Sequence, residues 1–279
     1  MLEKVLYKVF FSPTQTSRVN MENVISGMKA KNEVLWDCTY KKNTDIGMIP
    51  PDAVAIFSVP VYGGKVPPLA LERMADVRGN DTPAILLVTY GNRDFEGALT
   101  QLADFVKERG FLPIAAGAYI GEHSYSNACY PIATNRPDVA DRANAILFGE
   151  RIVGKIISVD NNKHIGIDLS HMPVLSTPFW DKLRFVWFVL GYRRKQKKNP
   201  IKIIPTTDLT LCTSCDTCLD VCPNDAIDSS VGYVTDSSRC IRCCACVKKC
   251  PVDARLFNSP FAPALANYFK RRREPVTYL

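Results

Sequence analysis

The chain has 279 residues, 47% of them hydrophobic, and a formal net charge of +7. That length and apolar content suit about two globular domains with a real core. No apolar run approaches the ~18 residues of a spanning helix, and the opening MLEKVLYKVFFSP reads as a first strand rather than a signal peptide, so a cytoplasmic protein is expected.

The first part of the chain alternates strand and helix patterns. Strands are expected over Val5–Phe11, Glu33–Cys38, Asp52–Pro60, Pro83–Tyr90 and Leu112–Tyr119. Helices are expected over Thr16–Met28, Leu69–Val77, Phe95–Arg109, stopped by Gly110, and Asp138–Ile157. DAVAIFSVP is apolar throughout, as a strand covered on both faces should be. Five strands alternating with helices predict an α/β fold, a doubly wound five-stranded parallel sheet over residues 1–160.

A connector follows over 161–205. It holds a helix pattern with Thr177 as N-cap and Pro178 at the first position, an aromatic-rich body, and then RRKQKK (Arg193–Lys198) before Pro200. Positive charge is concentrated here: residues 181–202 carry 8 basic side chains and 1 acidic, against 5 and 7 in residues 206–257. The basic tail, 258–279, contains KRRRE. The aromatic-basic segment has several readings. It could anchor at a membrane surface through Trp180, Trp187 and Phe188, with its lysines on anionic lipid. It could dock an acidic redox partner protein. Nucleic acid is not expected, because no binding motif accompanies the cations. The expected reading is that the aromatic face packs between the two domains while the basic end stays in water.

Between connector and tail, one pattern is written twice. CTSCDTCLDVCPNDA begins at Cys212 and CIRCCACVKKCPVDA at Cys240. Each is C-x2-C-x2-C-x3-C-P, then any residue, then Asp-Ala. Zinc knuckles use two separated pairs of ligands. Two runs of four with a following proline are the bacterial [4Fe–4S] arrangement, in which the fourth cysteine serves the other cluster. Cys212, Cys215 and Cys218 are therefore expected to share one cluster with Cys250. Cys240, Cys243 and Cys246 are expected to share the other with Cys222. The resulting small α+β module spans 206–257 and is too short to fold without its metal. Cys244 is an extra thiol inside the second loop, expected as a small side chain near the cluster. Cys38 and Cys129 lie outside the pattern and read as buried or half-buried small hydrophobes.

The first strand runs into FFSPTQTS, which sets Ser12, Thr14, Thr16 and Ser17 at a strand-to-helix turn. Free N–H groups and the dipole make such a helix start a good phosphate site. In a doubly wound sheet, ligands bind beyond the carboxyl ends of the strands. The third strand ends there in VPVYGGKVP and the fourth in TYGNRDF, each with an aromatic beside glycine.

The loop Ser12–Ser17 resembles the phosphate loop of flavodoxins, hydroxyl-x-Thr-Gly-x-Thr, with Gln15 standing where that pattern has glycine. With the cysteine repeat, GEHSYS (Gly121–Ser126) and NRPDVAD (Asn135–Asp141), the chain resembles the flavodoxin–ferredoxin fusion family over about 1–160 and 206–257. The resemblance implies FMN with its phosphate on Ser12, Thr14, Gln15, Thr16 and Ser17. It implies a flavin ring between Pro60, Val61, Tyr62, Gly63 and Gly64 on one side and Thr89, Tyr90, Gly91, Asn92 and Asp94 on the other. Tyr62 and Tyr90 are the stacking candidates.

FMN and two [4Fe–4S] clusters on one chain predict an electron-transfer protein, an electron carrier more than a substrate-specific enzyme, that serves redox partner proteins. No catalytic side chain is named. Two other readings stand beside it. One is a flavin-dependent oxidoreductase with His123 and Tyr125 meeting a small substrate. The other is a ferredoxin whose flavodoxin-like half binds no flavin and docks partners.

Overall fold

A computed structural model describes residues 1–41, 47–158, 166–169, 175 and 177–279. Parts of the connector expected from 161 onward lie outside the described residues. The chain divides into two compact units that interleave in sequence. The first comprises Met1–Glu122, Asn135–Val174 and Arg273–Leu279; the second comprises His123–Thr134 and Leu175–Arg272.

The first unit is built on one sheet. Its parallel strands are β1 (Leu6–Phe10), β2 (Glu33–Asp37), β3 (Val54–Pro60), β4 (Thr82–Tyr90) and β5 (Phe111–Ile120). Their spatial order is β2-β1-β3-β4-β5. This is the flavodoxin-like arrangement, with its switch point between β1 and β3. All nine residues of β4 are buried, because it is the strand with helices over both faces and neighbours on both edges. The helices are α1 (Thr16–Met28), α2 (Pro68–Arg73), α3 (Ala98–Lys107) and α4 (Val139–Ser158). Met21, Val24 and Met28 of α1 meet Phe148 and Ile152 of α4 in the core over Phe10, Ile56 and Ile85. The two helices touch backbone to backbone. A Cβ on Gly149 would lie 2.0 Å from the Val24 carbonyl oxygen, and one on Gly27 1.9 Å from that of Ile146.

The expected helix over Leu69–Val77 is only the short α2, and α3 starts three residues later than expected. The sheet also has a sixth strand. A strand from the tail, Val276–Tyr278, pairs antiparallel with β5, Val276 facing Ala118 and Tyr278 facing Ala116. Antiparallel pairing here covers the edge that β5 would otherwise leave open. The tail read as basic therefore holds, after its arginines, a β-branched and aromatic strand.

The second unit begins with the segment 123–134 and continues through α5 (Phe179–Lys198), α6 (Thr217–Asp220), α7 (Ala245–Lys248) and α8 (Phe261–Tyr268). The N-cap of α5 is Pro178, one position beyond the expected Thr177. The two cysteine runs are joined by two-residue ladders, Ile227–Asp228 with Val234–Thr235 and Thr206–Thr207 with Arg255–Leu256. α5 packs on α8 through Phe185 against Phe269 and through Phe188 and Tyr192 against Phe261, with ring centroids 5.0–5.2 Å apart. It buries no residue fully, and Trp180 and Trp187 are exposed. Within the second unit, the aromatic side chains of this helix are thus only partly packed. The helix carries two aromatic stripes, and α8 covers one of them.

Candidate functional site

The cysteine repeat folds as two copies of one backbone device. Ser214 and Asp216 in the first run, and Arg242 and Cys244 in the second, all have left-handed conformations, with φ between 54° and 59°. Asp225 and Asp253, each two residues beyond the proline, repeat the feature at φ 46° and 52°. Alternating right- and left-handed residues turn successive N–H groups toward a common centre, a concavity suited to anionic sulfur. In α-helix or strand such conformations would cost about 1–2 kcal/mol each. Here they shape the loops around their cysteines.

Two cavities result. Cys212, Cys215, Cys218 and Cys250 line one, with Tyr233 and Arg255. Cys222, Cys240, Cys243 and Cys246 line the other, with Ile227 and Cys244. Counted to their open mouths they enclose about 300 and 330 Å³. The exchange of the fourth cysteine between repeats is the one the spacing predicts. Four thiols around each of two cavities fit a [4Fe–4S] cluster in each. Sulfur also receives backbone and side-chain donors. Ala226 N–H donates to Cys222 Sγ at 3.2 Å, and Thr217 Oγ1 lies 3.4 Å from Cys215 Sγ. Burial pushes the Cys243 thiol up to about 12 and that of Cys246 to about 11, so a bound iron core would supply the charge that holds them as thiolates.

Arg255 is the residue that sequence reasoning missed. It is buried, lines the cavity of the first cysteine set and donates from Nη2 to Cys246 Sγ of the second set at 3.8 Å. Its other hydrogen bonds go to Tyr233 O at 2.7 Å, Thr235 Oγ1 at 2.6 Å and Thr207 Oγ1. The buried cation therefore ties together both ladders of the module. Asp-Ala-Arg after the second run, against Asp-Ala-Ile after the first, was the visible signal.

The segment 123–134 lies against the second run. Lys248 Nζ donates to Ser126 O at 2.8 Å, and Tyr125 sits 5.0 Å from the Phe257 ring and 4.8 Å from that of His123. Burial pushes the Tyr125 phenol up to about 12. Cys244 is buried there and donates weakly to Arg242 O at 3.7 Å, as a small side chain beside the cluster cysteines.

In the first unit the carboxyl ends of β1, β3 and β4 converge. The loop after β1 holds its shape through Ser12. Ser12 N–H donates to Thr39 Oγ1 at 2.8 Å, and Ser12 Oγ accepts from Arg18 N–H at 3.1 Å. Thr14 Oγ1 and Thr16 Oγ1 stand 3.4 Å apart. Ser17 is buried, and its carbonyl accepts from Ser58 Oγ at 2.9 Å, so it is part of the support under the loop. Gln15 is the N-cap of α1, with φ 66° and ψ −3°. It takes the left-handed backbone for which the flavodoxin pattern uses glycine, and Gln15 Nε2 donates to Ser12 O at 3.0 Å. Gln15 therefore holds a left-handed turn at the start of α1.

The second loop is a tight turn. Tyr62 and Lys65 exchange backbone hydrogen bonds of 2.8 and 3.3 Å, around Gly63 at φ 61° and Gly64 at φ 84°. Pro60 and Val61 lead into it, with Val61 N–H on Thr89 O at 2.8 Å. Tyr62 is half-buried. A Cβ on Gly63 would meet nothing within 4 Å, which leaves its peptide approachable. In the third loop, Asn92 is left-handed and buried, and Asp94 Oδ1 accepts from Glu96 N–H at 2.8 Å. Gly91 carries the turn, its carbonyl accepting from Arg93 N–H. Tyr90 is buried against Phe95 at 5.5 Å, so of the two stacking candidates Tyr62 alone keeps an accessible ring.

Two further residues support this end of the sheet. Asn20 of α1 donates to Thr89 Oγ1 at 3.1 Å and to Ile120 O at 3.3 Å. The buried pair Arg136–Asp141, inside NRPDVAD, anchors the returning tail, with Arg136 Nη2 on Arg273 O at 2.9 Å and Arg273 N–H on Asn92 Oδ1 at 3.3 Å. The tail thus reaches the third loop, which its charge run alone does not announce.

A family model described as 4Fe-4S binding domain matches residues 205–228 and 233–256. Among solved structures the chain is similar to a flavodoxin from the domain Archaea, at 13% identity over 55% of this chain and 99% of that one, with a TM-score of 0.40. It is similar to a flavodoxin of Streptococcus pneumonia TIGR4 at 16% identity over 54% and 99%, with a TM-score of 0.39. A WrbA-like flavodoxin from Agrobacterium tumefaciens gives 15% identity over 56% and 99%, with a TM-score of 0.39. None of the curated proteins matches the chain in sequence. The strand order defines the first unit as flavodoxin-like, and the repeat defines the second as a two-cluster ferredoxin module. Among the described residues no helix is long and apolar enough to cross a membrane.

Proposed function

We propose that the chain is a cytoplasmic electron-transfer protein that relays electrons between FMN, held by its flavodoxin-like unit, and the two [4Fe–4S] clusters of its ferredoxin module. The observation that carries the reading is the pair of four-cysteine cavities with their fourth ligands exchanged, on the same chain as a hydroxyl-lined helix start beyond a flavodoxin-ordered sheet. When bound, the clusters exchange single electrons and FMN one or two, which joins one-electron to two-electron chemistry.

The chain's own residues do the binding and the tuning. Thr14 and Thr16 offer hydroxyls to the phosphate, and the first-turn N–H groups of α1 add theirs. Ser12 fixes the loop. Tyr62 lies along the ring, and Gly63 leaves its peptide free to present either polar group to the ring's edge. Arg255 offsets negative charge between the cysteine sets. The oxidoreductase reading draws little from His123 and Tyr125: the Tyr125 ring packs on those of His123 and Phe257.

Anaerobic reconstitution with iron, sulfide and FMN tests the reading. About eight irons and one flavin per chain are expected. Eight irons without flavin would replace it with the docking-domain reading.

A further inference from the structure

Among the described residues, one face of a helix in the second unit is exposed and covered by no other element. On α5 the inward stripe, Phe185, Phe188 and Tyr192, meets α8. The opposite stripe is Trp180, Leu183, Trp187 and Leu190, with Phe179 and Val186 alongside, at the three-and-four spacing of one helix face. Phe179, Trp180 and Trp187 are 69, 66 and 68% exposed, and Val186 and Leu190 are 43 and 53% exposed. Isolated exposed apolar residues need no explanation, but a contiguous stripe with two tryptophans does. The same face continues, past Leu190, as Arg193, Arg194, Lys197 and Lys198. Seven cations and one carboxylate stand on the helix, and Lys270, Arg271 and Arg272 add to the charge of the unit.

We propose that the outer face of α5 docks on an anionic lipid surface, with the helix lying in the plane of the headgroups. Tryptophan favours that depth because its ring is apolar and its N–H polar. The apolar half supplies buried area and the cationic half pairs with lipid phosphates. An acidic protein would answer the cations but leave Phe179–Leu190 in water. The helix is about 30 Å long, yet its charge forbids crossing, so it rests on the surface. This inference does not depend on flavin binding.

The test is flotation of the full, cluster-loaded chain with phosphatidylcholine vesicles, with and without about 30 mol% phosphatidylglycerol. Binding is expected with the anionic vesicles, weaker with the neutral ones and weaker at high salt. W180Q/W187Q is expected to lose binding at least tenfold. Neutralising Arg193, Arg194, Lys197 and Lys198 is expected to weaken it roughly fivefold per cation. These side chains are exposed, and unchanged cluster absorbance would confirm that each variant is folded. Absence of flotation with anionic vesicles, or flotation indifferent to both sets of changes, overturns the proposal. Self-association in sedimentation that W180Q/W187Q abolishes, without flotation, would give the face to a second copy of the chain.

Discussion

Arg255 Nη2 donates to Cys246 Sγ at 3.8 Å from the wall of the cavity that Cys212, Cys215, Cys218 and Cys250 share. One buried cation therefore stands close to both cysteine sets. A four-thiolate cluster is anionic, and reduction adds charge, so a neighbouring guanidinium favours the reduced form. At an effective dielectric near 20 and a separation of several ångströms the effect is on the order of 1–3 kcal/mol. Arg255→Gln should lower the cluster potentials by roughly 50–100 mV, with one-electron steps of 59 mV per tenfold. Potentiometry with electron paramagnetic resonance measures this. Arg255→Lys, which keeps the charge but loses the fork, should fall between the two.

Gln15 predicts a second result. A non-glycine residue at φ 66° carries about 1 kcal/mol of strain, which the Nε2 bond to Ser12 O partly offsets. Gln15→Gly should leave FMN affinity within about threefold and stability equal or higher by up to ~1 kcal/mol. Gln15→Val, β-branched and without the bond, should lose ~1–3 kcal/mol and weaken FMN binding. Fluorescence titration and urea unfolding read the two effects.

The Arg136–Asp141 pair is buried in the first unit and holds the tail through Arg273 O. Asp141→Ala leaves the buried guanidinium only the longer carboxylate contact to Asp138 at 3.8 Å and should cost up to about 3–5 kcal/mol in denaturant unfolding. Removing Arg273–Leu279 exposes the β5 edge, and concentration-dependent aggregation is expected in light scattering.

Cys38 is buried, and burial pushes its thiol from 9.0 up to about 12. The folded value lies above the unfolded one, so its contribution to stability is complete below pH 9 and is lost as pH rises toward 12. Cys129 is exposed, against the expectation that both are at least half-buried, so iodoacetamide at pH 8 should modify it and spare Cys38, as read by mass spectrometry. Between pH 9 and 11 Cys38→Ala should lose stability less steeply than the parent chain.

The strand-helix alternation of the first unit and the division of eight cysteines into two sets of four were legible because both follow from short-range patterns. Alternating apolar runs set the sheet, and cysteine spacing sets the exchange of Cys222 and Cys250. The tail strand at Val276–Tyr278 was not legible, since three residues beside KRRRE give no periodicity and the pairing with β5 is 158 positions away at Val276↔Ala118. Arg255 escaped for a related reason. Its partners Thr207, Tyr233 and Thr235 come together only when the two ladders form. Tyr62 and Tyr90 both stand beside glycine in the sequence, and burial against Phe95 sets Tyr90 apart. The two stripes of α5 overlap in sequence, so the exposed one became visible only when α8 covered the other.

The relay itself is tested most directly by intramolecular electron transfer. Anaerobic protein loaded with FMN and both clusters would be reduced by a sub-stoichiometric pulse at the clusters, and flavin absorbance followed in time. The relay predicts flavin reduction at a rate independent of protein concentration. A rate proportional to concentration, or a flavin that stays oxidised while the clusters hold the electron, would contradict it.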